Sequence, residues 1–132
     1  MIRLLSVLFA AAAIAGCSSS TDPASDVLSV HVENQTLTLV NSSDDPVYYF
    51  VADKDALALI DWVICIDPSR CTAVPARSRR TLAYSEIAAY QPGSANAVVY
   101  HWRITTKPAG GNAYDTLRRI DVMLSRPKGD SL

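Results

Sequence analysis

Apolar and polar positions alternate with a period of two after residue 26, a pattern typical of β-strands that are buried on one face. Leu28, Val30 and Val32 alternate with polar residues. Leu37 and Leu39 alternate with threonines in the same way. The pattern therefore predicts two neighbouring strands at the start of the folded part of the chain.

Five further strands are predicted between these segments and residue 126. The segment 47–52 is apolar or aromatic on both faces, which indicates a strand inside a sheet. In the segment 97–105, Val98 and Trp102 share one face, and His101 lies on the opposite, more polar face. The remaining three strands are predicted at 60–65, 79–84 and 117–124.

Two short stretches favour helical turns. The sequence after Asp53 predicts about two turns, and Ser85 is a suitable N-cap for a single turn. Neither stretch is long enough for a crossover between parallel strands, so we expect antiparallel pairing. The predicted fold is all-β: one immunoglobulin-like antiparallel β-sandwich of about seven strands with one or two short helical turns. A small closed β-barrel is the alternative.

The first sixteen residues form a separate unit. Residues 1–3 include a basic residue, and residues 4–15 are uncharged and apolar. This run falls short of the roughly 20 residues that cross a bilayer as a helix, and it has the order of a secretory signal peptide. We therefore assign residues 1–16 to a signal peptide and residues 27–126 to the β-sandwich domain.

The junction after this unit carries the sequence Ile14, Ala15, Gly16, Cys17. It resembles the lipobox of bacterial lipoproteins. The resemblance implies that the signal is removed before Cys17, that lipid is attached to this cysteine, and that the protein is anchored in the cell envelope, because two or more acyl chains give stable membrane binding. Ser18 in the next position favours the outer over the inner membrane. The alternative is an ordinary signal peptide cut near Gly16.

The remaining boundaries follow from composition. Residues 17–26 contain the lipidated cysteine and a polar stretch with no apolar residue larger than alanine, which indicates a flexible tether. Residues 127–132 are assigned to a C-terminal tail. The sequence shows no internal repeat and no second domain.

The cysteine count agrees with a lipid on Cys17. The chain has three cysteines, and acylation of one leaves Cys65 and Cys71 to form a disulfide in an oxidising envelope. A metal site at this pair would need further ligands, and the histidines of the chain are His31 and His101. The sequence therefore predicts a Cys65–Cys71 disulfide and no metal or cofactor.

Charge and motifs favour a binding protein over an enzyme. The formal net charge is −1, so we expect no nucleic acid partner, because phosphate binding needs a basic face. His31 and His101 are expected to be exposed on strands, and no hydrolase or phosphate-binding motif accompanies them. Asp44 and Asp45 precede Pro46 and favour a turn over a calcium site.

Two surfaces are candidates for partner binding. The first is the disulfide-closed loop, whose stiffness reduces the entropy lost on binding. Its candidate contact residues are Ile66, Asp67, Ser69 and Arg70. The second is a basic cluster at the start of a strand, where positive charge suits an acidic partner but also protects an exposed sheet edge. Its residues are Arg77, Arg79 and Arg80.

The sequence thus predicts a lipid-anchored protein of the bacterial envelope. We expect its β-sandwich to bind or scaffold another envelope protein without catalysis. The alternative is an inhibitor of a protease or a cell-wall hydrolase that acts through the Cys65–Cys71 loop, with Arg70 as its anchor.

Overall fold

The structure is a computed structural model that describes residues 23–125. The predicted signal peptide 1–16, the lipidation site Cys17 and the tail 127–132 lie outside these residues. Within residues 23–125 the chain forms nine strands and two 3₁₀ turns. The strands are β1 (Leu28–Glu33), β2 (Thr36–Asn41), β3 (Val47–Asp53), β4 (Ala73–Val74), β5 (Arg79–Ala83), β6 (Asn96–Trp102), β7 (Ile104–Thr106), β8 (Asn112–Tyr114) and β9 (Arg118–Met123).

The strands form an antiparallel β-sandwich. One sheet has the order β1-β2-β5, the second has the order β4-β3-β6-β9, and β7 and β8 form a separate hairpin. The inner faces of the first two sheets share one core, to which Leu39 contributes from β2, Val51 from β3 and Val99 from β6. The described strands form separate sheets, so the alternative of a closed barrel is wrong. No helix in the described part of the chain is long and apolar enough to cross a bilayer.

Six of the seven predicted strands are present, and the prediction of a strand at 60–65 is wrong. Residues 60–67 are irregular, because the segment is held to a sheet by the ring of Trp62 and its backbone pairs with no strand. The segment 97–105 is interrupted at Arg103, so that β6 and β7 are two strands. The strands β4 and β8 had not been predicted.

The helical turns are shorter than expected. The first 3₁₀ turn is Leu57–Leu59, where two turns had been predicted. The second is Tyr84–Glu86, and its N-cap is Ala83. The prediction of Ser85 as N-cap is therefore wrong, because the chain enters the turn directly from β5 and Ser85 lies inside it.

Hydrogen bonds to the sandwich begin before β1. The N–H of Val30 donates to the carbonyl oxygen of Pro23 at 3.0 Å, and Asp26 forms an ion pair with Arg118 on β9. Pro23 and Asp26 both belong to the segment assigned to the tether. Among the residues that the structure describes, the contacts that position the domain therefore include Pro23 and Asp26.

Asn41 links β2 to the region of β4. Its side chain is buried, and Nδ2 donates to the carbonyl oxygens of Asp45 at 2.8 Å and of Val74 and Pro75 at 3.1 Å. Oδ1 accepts the N–H of Ser43 at 2.9 Å. One amide group thus joins three segments of chain at the end of the sandwich that carries β4.

Candidate functional site

The connection from residue 54 to residue 72 is the longest link between strands in the described chain. It joins β3 to β4 and contains one 3₁₀ turn, Leu57–Leu59, and otherwise irregular backbone. Connections of this length without regular structure are uncommon in compact domains and usually have a function. We call it the long connection.

Aromatic packing holds the long connection against the outer face of the four-stranded sheet. Side chains alternate along a strand, so β3 and β6 direct Phe50, Tyr100 and Trp102 to the face opposite the core. The ring of Trp62 stacks on Phe50 at 4.6 Å between centroids. It also lies 5.1 Å from Tyr100 and 6.3 Å from Trp102. The connection is therefore a packed cover over this sheet.

A hydrogen bond fixes the connection near the disulfide. Nε1 of Trp102 donates to the carbonyl oxygen of Cys65 at 2.8 Å, and only 3% of Trp102 is exposed. The rings of Trp62 and Trp102 thus pack against other protein groups.

The predicted disulfide between Cys65 and Cys71 is present, with a Cα–Cα distance of 5.7 Å. Asp67 organises the loop inside it: its carbonyl oxygen accepts the N–H groups of Arg70 and Cys71, both at 3.0 Å. Its Oδ1 accepts the hydroxyl of Ser69 at 2.7 Å and the N–H of the same residue at 3.0 Å. These bonds from Ser69 lower the pKa of Asp67. The loop is a closed turn with its own hydrogen-bond network.

Three large apolar side chains of the long connection are exposed to solvent. The exposed fractions are 89% for Leu59, 85% for Val63 and 40% for Ile66. Single exposed apolar residues are common on soluble proteins, and these three lie within eight residues of one another on one segment. Beside them, the side chain of Arg70 is 84% exposed, and its Nε lies 3.6 Å from Oδ2 of Asp67.

The three arginines of the predicted basic cluster do not form one patch. Arg77 lies in the turn before β5 and pairs with Asp44, with Nε 2.7 Å from Oδ1. This pair lowers the pKa of Asp44 and raises the pKa of Arg77. Arg79 and Arg80 follow on β5 and are exposed. Only these two arginines of the cluster lie on the edge strand.

Both histidines were expected to be exposed, and this is wrong for His101. His31 is exposed, and its Nε2 lies 3.2 Å from Oε2 of Glu33. His101 is 1% exposed, and its Nε2 lies 3.0 Å from Oγ of Ser25. Burial lowers the pKa of His101, and the negative charge of Asp115 opposes that shift. His101 lies inside because it shares the core-facing side of β6 with Ala97 and Val99, the side that had been expected to be the more polar one.

The acidic pairs form no cluster with other ligands. Among residues 23–125 no group of three or more His, Cys, Asp or Glu residues is suited to hold a metal ion. Asp53 accepts the N–H of Ala56 at 2.9 Å with Oδ1, and Asp44 is paired with Arg77. Each of these carboxylates organises a turn in the chain.

Comparison with known proteins identifies no relative. No protein-family model matches the chain, no curated protein is significantly similar to it, and no solved structure matches its fold significantly. The arguments for its function therefore come from its own residues.

Proposed function

We propose that this chain is a bacterial envelope lipoprotein, anchored by lipid on Cys17, whose β-sandwich binds another envelope protein without catalysis. The sequence from Ile14 to Cys17, which resembles a lipobox, supports the anchor. The disulfide Cys65–Cys71 supports an oxidising compartment. Ser18 favours the outer membrane over the inner membrane as the location.

The long connection is the observation that carries the proposal of binding. It displays Leu59, Val63 and Ile66 to solvent, while Trp62 and the disulfide hold its backbone in place. A segment that is ordered before it binds loses little conformational entropy in the complex. Its apolar side chains suit an apolar patch on a partner protein.

Lipidation is tested by labelling the full chain with palmitate in a bacterial host. We expect label in the wild-type chain and none in a Cys17→Ser variant, with the chain released from the membrane fraction. The control Cys71→Ser removes a cysteine of the disulfide and should keep the label. An unlabelled wild-type chain in a host that labels its own lipoproteins would refute the anchor.

Binding is tested by placing a photo-crosslinking amino acid at position 63 of the full chain in cells that produce it. We expect a crosslinked complex that disappears when Leu59→Ser is added. The same amino acid at position 114 on β8, where Tyr114 is 45% exposed, is the matched control. Equal crosslinking from both positions would refute a specific surface on the long connection.

The alternative function, inhibition of an envelope protease or cell-wall hydrolase, rests on Arg70. Its guanidinium extends from the closed turn and is 84% exposed, as an anchor for an acidic pocket would require. Under this alternative, Arg70→Ala abolishes inhibition of such an enzyme, while the control Arg119→Ala on β9 does not. Under the binding proposal, the crosslink from position 63 survives Arg70→Ala.

We further propose that the protein has no enzymatic activity. Ser25 and His101 are the one serine–histidine pair in hydrogen-bond contact that the described chain holds, and His101 is almost fully buried. We interpret this pair as a contact that holds the start of the domain. Loss of a measured activity in a folded His101→Gln variant would contradict this interpretation.

A further inference from the structure

The strand β5 is an open edge of the three-stranded sheet. It pairs with β2 on one side only, and each of its residues except Leu82 is exposed. The N–H of Asn41 donates to the carbonyl oxygen of Ser78 at 2.8 Å, and the N–H of Tyr84 donates to that of Gln35 at 3.1 Å. Hydrogen-bonded pairs alternate in an antiparallel ladder, so every second residue from Ser78 is bonded to β2.

The alternate residues, Arg79 and Thr81, direct their backbone N–H and C=O groups away from β2. Within residues 23–125 these outward backbone groups have no hydrogen-bond partner. Further along the edge, the N–H of Ala83 donates to Oε2 of Glu86 at 2.7 Å, which closes that end. The open part of the edge therefore offers two donors and two acceptors to another strand.

The two arginines of this edge form no ion pair within residues 23–125, and the one acidic residue that lines the adjacent groove, Glu86, accepts the N–H of Ala83. Arg79 and Arg80 are the arginines for which no carboxylate of residues 23–125 lies in ion-pair contact, and they are consecutive. The guanidinium of Arg80 lies over the ring of Tyr49 at 6.0 Å from its centroid. The paired arginines are Arg70, Arg77, Arg103, Arg118 and Arg119.

A groove lies beside the open edge. It has a volume of about 260 Å³ and is lined by residues of both β3 and β5. Tyr49 and Val51 line it from β3, and Arg80 and Leu82 line it from β5. A strand added to β5 would place alternate side chains in this groove.

We propose that the β5 edge binds an extended acidic segment of a partner protein by strand addition. The main chain of the segment pairs with Arg79 and Thr81, as in other complexes formed by strand addition. Arg79 and Arg80 point to opposite faces of β5 because they are consecutive. The segment therefore carries carboxylates on both of its faces, at adjacent positions. A second copy of β5 does not fit, since it would bring like charges together across the pair. This inference is independent of the proposed role of the long connection.

The test is a titration of the full chain, followed by nuclear magnetic resonance, with the synthetic peptide acetyl-Thr-Val-Thr-Asp-Glu-Thr-Val-Thr-amide. We expect shifts confined to β5 and the groove, and slower hydrogen exchange at the N–H of Thr81. The double variant Arg79→Gln, Arg80→Gln should bind about 25-fold more weakly, if each exposed charge pair contributes about 1 kcal/mol. The control Arg119→Gln should bind as the wild type does.

Two further comparisons separate strand addition from simple charge attraction. Thr81→Pro removes the outward N–H and no backbone hydrogen bond to β2, and it should abolish binding. It also removes the hydroxyl contact with Thr38 on β2, at 3.1 Å, and the control variant loses the same contact. The control Thr81→Val keeps that N–H and should bind normally. If Thr81→Pro does not fold, a peptide N-methylated at alternate positions tests the same backbone pairing. N-methylation removes the N–H donors of the peptide, so this peptide should not bind.

Four results would overturn the proposal. The first is that folded Thr81→Pro binds the peptide as tightly as the wild type does, or that the N-methylated peptide binds as tightly as the unmodified one. The second is that the wild type binds the Asn-Gln version of the peptide with equal affinity. The third is that the chain associates with itself through β5 and does not bind the peptide. The fourth is an absence of peptide binding, whether or not the chain binds phosphatidylglycerol vesicles through Arg79 and Arg80.

Discussion

Replacement of Trp62 by alanine tests whether aromatic packing holds the long connection in place. Replacing a fully buried tryptophan by alanine lowers the free energy of unfolding by about 3–5 kcal/mol. Trp62 is half-buried, so we expect about 2 kcal/mol from this source. Loss of the stack on Phe50 at 4.6 Å adds about 1 kcal/mol. We therefore expect the free energy of unfolding to fall by about 3 kcal/mol and the Tm to fall by about 15 °C.

The assay is urea unfolding of the full chain, with trypsin cleavage after Lys54 and Arg70 as a local measure of opening. Trp62→Phe is the control, because it retains an aromatic ring, and it should lose about 1 kcal/mol. We expect trypsin to cut Trp62→Ala faster than either the control or the wild type. A loss below about 1 kcal/mol in Trp62→Ala, with unchanged cleavage, would refute the role of the rings in holding the connection.

Two further predictions concern buried polar groups. Asn41→Ala should lower the free energy of unfolding by about 3 kcal/mol, because three carbonyl groups lose a hydrogen-bond donor and the carbonyl group of Val74 is buried. Urea unfolding should show a much smaller loss of stability for Ser43→Ala. Equal losses for the two variants would contradict the reasoning. Stability should also fall as the pH drops below about 6.5: burial lowers the pKa of His101, so the unfolded chain binds a proton that the folded chain does not. Urea midpoints measured from about pH 7 to about pH 5 should show this slope in the wild type and in His31→Gln, and a slope retained in His101→Gln would refute it.

Local sequence pattern predicts the strands that are half exposed. Leu37 and Leu39 alternate with threonines in β2, and the structure buries the leucines completely. The alternation is readable because one face of β2 meets solvent, so residue type reports burial directly. In β9, Ile120 and Val122 likewise alternate with more exposed residues, and both belong to the core.

Pattern fails where both faces of a strand are covered. The prediction that His101 is exposed on a polar face of β6 rested on the ordinary preference of histidine for solvent. The hydrogen-bond partner of its buried ring is the hydroxyl of Ser25, which is 76 residues away in sequence. No local pattern can indicate such a partner.

The long connection was misread for a related reason. Trp62 and Val63 in the segment 60–65 have the residue types of a strand, but the neighbours of Trp62 are side chains of the sheet beneath it. The disulfide was predictable from the cysteine count, since Cys65 and Cys71 are close in sequence. The exposure of Leu59 was not, because it depends on which side chains the sheet has room to cover.

The contacts made by Pro23 and Asp26 bear on how far the domain extends from its anchor. With lipid on Cys17, as proposed, residues 18–22 separate the anchor from Pro23, which bonds to the sandwich. Fully extended, this stretch spans about 20 Å from Cys17 to Pro23. The start of the domain therefore stays within about that distance of the bilayer surface. A partner that engages the end of the sandwich near Pro23 would therefore meet it close to the membrane surface.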